Sequence, residues 1–237
     1  MPGIRTWRDR LRRKDDRSRP ELVSPVMQPA GARAGDGTAR QAHEPEPVSS
    51  VHESVDEERL HELLREDPNN EGRFNELAGV VRRRAAEGHA AGDPVQAQEN
   101  AVWALAEELA HDQRAWYPLV ELARLSLADD REAALRRLGI AAERDPSGSA
   151  LSYGLDLLRE AGDNDGALSL GMGHWRPTDH PLAAGRAMVA AAVDAHRLAE
   201  ARRHLDVLGE HPDATGVAAM RRDMERAISQ AERARRP

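Results

Sequence analysis

Two short stretches of this 237-residue chain hold residue types that could do chemistry. In "EAGDNDGAL", residues 160–168, two aspartates one residue apart precede a glycine, as in a calcium loop. With Asp163, Asp165 and Gly166 at the third, fifth and sixth positions of an EF-hand loop, residue 161 should be acidic and residue 172 a glutamate; they are Ala161 and Met172. The stretch instead reads as a corner, in which Gly162 ends one helix, Asp163 or Asp165 caps the next and Ala167 packs against a neighbour. In "GHWRPTDHP", residues 173–181, His174, Asp179 and His180 fall in an irregular break that could gather imidazole and carboxylate ligands. These histidines lack the i, i+4 spacing of a helical zinc site and no HExxH occurs, so the expectation is a surface loop with Trp175 packed over a helix end.

Other chemistries find no support. GxSxG, P-loop and GxGxxG patterns are missing, and "GMGHWR" places Arg176 where a third glycine would stand. Without cysteine there is no thiolate nucleophile, disulfide or sulfur-ligated metal. The carboxylates fall on helix faces beside arginines, as solvated pairs do. The chain is therefore expected to be non-catalytic, with no cofactor, no metal site and no small-molecule substrate.

The elements that would position a site are helical. Aromatics are 3% of the chain and charged residues 32%, so a core must come from Ala, Leu and Val stripes on amphipathic helices. Periodicity predicts helices near 55–66, 71–88, 94–110, 114–127, 130–144, 148–161, 165–174, 181–194, 198–210 and 214–234. The breaks carry cap and turn residues, among them Asp67-Pro68, Asp93-Pro94, Asp145-Pro146, His180-Pro181 and His211-Pro212. Short loops make successive helices antiparallel neighbours.

In "AWYPLVELA", residues 115–123, Trp116, Leu119, Val120 and Ala123 share one face; in "AALRRLGIAAERDP", residues 133–146, Ala134, Leu138 and Ala141 continue before Pro146 stops the helix. This pair resembles a tetratricopeptide repeat (TPR), with Val120 where Gly or Ala is usual and two extra residues in the turn. Phe74, Leu77, Ala78 and Val81 repeat the first-helix pattern, although the partner helix arrives late and its register around residues 88–113 is ambiguous. Leu151, Gly154, Leu155 and Leu158, followed by Gly162 and Ala167, give a third unit, and residues 185–212 a looser fourth. The resemblance implies an all-α, right-handed solenoid of about four helical hairpins over residues 55–237. Leu60, Leu63 and Leu64 would cover its front, and a capping helix with Val217, Met220, Met224 and Ile228 on one side would close it. It also implies a concave groove lined by Asn75, Arg82, Arg114, Tyr117, Arg124, Arg159 and Arg186, with Glu121 and Asp156 beside them, taking a peptide or helix of another protein, an acidic segment among the options. Arg124→Glu is then expected to weaken capture without melting the fold.

Residues 1–54 are read as a disordered arm. Its segment 1–19 is basic: residues 1–20 carry eight basic groups against three acidic ones, whereas residues 55–237 hold 24 against 33. Ile4, Trp7 and Leu11 lie between its arginines, so the alternative reading is an adaptor tethered by this segment to an anionic membrane surface or nucleic acid. With no apolar run long enough to span a bilayer and no secretory signal, the expected location is cytoplasmic.

Overall fold

The computed structural model describes residues 48–88 and 93–234, and every regular element among them is helical. The chain divides after His52 into two compact units, the second beginning at Glu53. The basic segment 1–19 and most of the expected arm lie outside the described residues. The first helix, α1 (Val48–Glu66), starts seven residues before the expected 55. Adding a residue to an existing helix fixes one backbone for one hydrogen bond, so a helix runs past the reach of its apolar stripe.

The remaining helices follow the expected bounds closely: α2 (Glu71–Gly88), α3 (Pro94–Ala110), α4 (Tyr117–Ser126), α5 (Arg131–Arg144), α6 (Ser149–Glu160), α7 (Asn164–His174), α8 (Leu182–Asp194), α9 (Leu198–Val207), a 3-10 turn at Leu208–Glu210, and α10 (Ala214–Ala234). Aspartates start four of them. Asp93 accepts from the Val95 and Gln96 amides, Asp130 from Ala133, Asp163 from Gly166 and Asp213 from Gly216. Each occupies amides that the helix itself leaves bare.

The helices pack in order as α2 on α3, α4 on α5, α6 on α7 and α8 on α9, while α4, α6 and α8 also touch in succession and α5 touches α7. α10 lies against α8 and α9. One core runs through them, built from leucines and alanines with Phe74, Tyr117 and Met188 among the few larger side chains. Leu64 of α1 is fully buried in it, with Leu60 packed alongside. Small residues set the helix spacing: a Cβ on Gly171 would fall 1.8 Å from the Met188 sulfur, so α7 meets α8 where it has no side chain. Val217 and Ile228 of α10 are buried, with Met220 and Met224 packed on the core.

Polar side chains tie distant turns together. α4 has no cap of its own; Asn69, from the α1–α2 turn, accepts from the Trp116 and Tyr117 amides at 2.7 and 3.0 Å and donates to the Arg114 carbonyl at 2.9 Å. Arg144, in the last turn of α5, donates one Nη to the carbonyls of Ala110, Asp112 and Ala115 at 3.0–3.1 Å. It thereby neutralises the oxygens at the negative end of α3. Among the described residues no helix is long and apolar enough to cross a membrane.

Candidate binding surface

The groove-facing expectation centres on α2, α4, α6 and α8, and the aromatics converge there. Phe74 (α2), Trp116 and Tyr117 (the start of α4) and Tyr153 (α6) have ring centroids 5.4–5.9 Å apart, three of the four pairs edge-on. These are four of the seven aromatics in the whole chain. Edge-to-face pairing places ring hydrogens on a neighbour's electron-rich face and stabilises the cluster beyond its buried area. Phe74 and Tyr117 are buried, Trp116 is half-buried and Tyr153 is exposed on one side. The Tyr153 hydroxyl donates to the Glu71 carboxylate of α2, 82 residues away, and this bond first, then burial, raises the phenol above its usual range.

Tyr117, expected on the groove surface, is 3% exposed. Burial first, then the Glu121 and Glu71 carboxylates, push its phenol upward, with Asn75 beside it. Trp116, expected on one face with Leu119, Val120 and Ala123, stands at the N-cap of α4 and is half-buried. The expected stripe of Leu119, Val120 and Ala123 is buried, but so are Tyr117, Glu121 and Leu122, because α4 has neighbours on nearly every side.

Glu121, expected on the groove beside the arginines, is 7% exposed. Arg124 reaches it through Nε at 3.0 Å and Nη2 at 2.5 Å, and this bond holds the guanidinium pKa above its ordinary value although burial opposes it. Arg159 donates to Asp156 at 3.0 Å and to Asp194 of α8 at 3.1 Å, joining α6 to α8. Arg114 bonds Asp112 and donates to the Arg65 and Glu66 carbonyls at the end of α1, so it closes a helix terminus and is not with the others. Asn75 is exposed, Arg82 half-exposed and Arg186 exposed; among the described residues neither Arg82 nor Arg186 has an ion-pair partner. Tyr153 and Glu71 escaped sequence reasoning. The available signal was the concentration of aromatics at the starts of the first helices of the pairs.

The "EAGDNDGAL" aspartates serve as structural anchors. Asp163 takes Arg131 Nε at 2.6 Å and Nη2 at 2.9 Å while capping α7, and Asp165 takes Arg197 Nη2 at 2.5 Å. The Arg131 bond first, then the Gly166 amide, hold Asp163 below the usual carboxylate range against the effect of burial. A carboxyl with a depressed native pKa stabilises the fold above its unfolded pKa of about 4 and loses that contribution as pH falls through the native value. Urea midpoints at pH 5 and pH 3 are expected to differ less in Asp163→Asn than in the parent; equal differences would remove this assignment. In the "GHWRPTDHP" loop Arg176, Thr178 and Asp179 are exposed as expected of a surface loop, but His180 is 2% exposed. Trp175 meets the His204 ring of α9 edge-on at 5.9 Å. Among the described residues no three His, Asp or Glu side chains converge as a metal would require.

No protein-family model, curated protein or solved structure matches this chain.

Proposed function

We propose that residues 55–237 form a TPR-like, right-handed solenoid of about four helical hairpins capped by α10, and that the chain is a non-catalytic protein–protein interaction module. Its ligand is a peptide or helix of another protein, held along the face of α2, α4, α6 and α8. The observation that carries this reading is a recurrent offset in the polar contacts between successive hairpins. Arg144 to Ala110 spans 34 residues, Arg131 to Asp163 32, Asp165 to Arg197 32, Arg159 to Asp194 35 and His211 to His180 31. Offsets of 31–35 residues join corresponding helix ends and connections of successive pairs, as expected of a repeat stack.

Charge and shape support an acidic segment as the ligand. Along this face the carboxylates of Glu71, Glu121, Asp156 and Asp194 already hold donors, whereas Arg82 and Arg186 at its two ends have no carboxylate partner among the described residues. From α2 to α8 there are three helix-to-helix steps of about 8–10 Å, roughly the reach of an eight-residue extended peptide. Trp116 and Tyr153 between the two ends supply an aromatic contact of the kind that dominates interfaces. The test is a photo-crosslinking residue placed at Asn75 or, on the opposite helix layer, at Ile140, which is 42% exposed. Adducts should form from position 75 and not from 140; the reverse, or equal labelling, would refute the groove.

A further inference from the structure

We propose that His180 is an acid-sensitive pin: its neutral imidazole seats the α7–α8 connection on the α5–α6 connection, its main chain receives the α9–α10 connection, and protonation of the ring loosens this junction. The geometry is independent of what the groove binds. His180 lies in the α7–α8 connection with its ring over Gly148 of the α5–α6 connection, where a Cβ would fall 2.4 Å from the imidazole Cγ. Gly148 also has φ +80°, which an L side chain rarely adopts, so this backbone leaves space for the ring at a position where only glycine is at ease. The His180 carbonyl accepts from His211 Nε2 of the α9–α10 connection at 3.2 Å. His211 Nδ1 accepts from the Asp213 amide, so its proton resides on Nε2 and points at His180.

The neutral form is the one this environment accommodates. His180 Nδ1 faces the Arg176 amide at 3.4 Å as acceptor, and Nε2 is buried with no partner. A second proton on Nδ1 would cancel that bond and leave a buried cation. The groups facing it are Arg176 and Asp179 of its own connection, His174 at the end of α7, Asp145 of the α5–α6 connection and His211. Asp145 is the carboxylate best placed to compensate, but it is committed to the Ser147 amide and hydroxyl and to the Ala150 amide at 2.6–3.1 Å. Asp179 is exposed and accepts from Thr178. Burial first, then the Arg176 charge, hold the imidazole below the ordinary histidine range, with Asp145 and Asp179 pulling the other way.

A histidine with a depressed native pKa favours the closed form above its free value near 6.5, and that preference is lost as pH falls. Local opening that frees one such imidazole should therefore become more populated at pH 5.5 than at 7.5, by at most about tenfold. The experiment is amide hydrogen exchange on the full chain at both pH values, corrected for intrinsic rates, read in peptides covering 175–181 and 208–213. This rise should appear in the parent and in His204→Gln, whose imidazole is half-buried, and should be absent in His180→Gln. Persistence in His180→Gln, or loss in His204→Gln, overturns the proposal. If His180→Gln does not fold, NMR titration of the histidine Cε1 protons in the parent chain decides. A His180 resonance titrating at or above pH 6.5 in the native protein overturns the pin, and one that stays neutral until opening begins upholds it.

Discussion

Gly148→Ala is expected to destabilise the protein by about 3 kcal/mol. Two costs combine there. A left-handed backbone at an L residue costs about 1–2 kcal/mol, and overpacking a filled site costs about 1–3 kcal/mol more. The added Cβ would lie 2.4–2.8 Å from three atoms of the His180 side chain, which is itself buried and cannot swing away. Gly162 separates the two contributions, because it has φ +77° and a methyl group added there would meet nothing within 4 Å. Gly162→Ala should therefore cost only about 1 kcal/mol. Urea denaturation of the two variants measures the difference; equal losses would mean that His180 does not fill the space over Gly148.

Arg124→Glu should cost about 3 kcal/mol, in contrast to the benign behaviour expected from sequence. Glu121 is a buried carboxylate whose charge is answered by Arg124 at 2.5–3.0 Å. Removing one member of a buried pair leaves the other uncompensated, at about 3–5 kcal/mol, and the partial exposure of Arg124 places this case at the lower end. The introduced glutamate adds repulsion one helical turn away. Thermal unfolding should show the loss in Arg124→Glu and recover most of it in Glu121→Gln/Arg124→Gln, where neither charge remains. A double variant as unstable as the single one would show that the pair contributes packing alone.

The helical order was legible because its signals are local. Asp93-Pro94 and Asp130 announce α3 and α5, and these helices begin within a residue of the expected positions. Gly162 followed by the Asp163 cap announces the α6–α7 corner in the same way, with the Gly162 and Asp163 amides returning to the Arg159 and Leu158 carbonyls. What sequence could not convey depended on contacts far along the chain. The burial of Tyr117 and Glu121 follows from the packing of α4 against α3, α5 and α6 at once, and its start is capped by Asn69 some 47 residues earlier. Arg114 has the right residue type for a groove, yet the end of α1 brings two carbonyls to it. His180 looked like a loop residue because its neighbours are polar; the space that buries it is made by Gly148, 32 residues away.

Capture of an acidic protein segment along the face of α2, α4, α6 and α8 is tested most directly by selecting displayed random peptides on the immobilised full chain. Arg82 and Arg186 have no ion-pair partner among the described residues, so Arg82→Glu/Arg186→Glu should leave stability within about 0.5 kcal/mol of the parent. The parent is predicted to enrich peptides carrying Asp or Glu toward both ends with an apolar residue between them, and the double variant to lose that enrichment. Identical peptide profiles for the two proteins, or enrichment of basic peptides by the parent, would contradict the account.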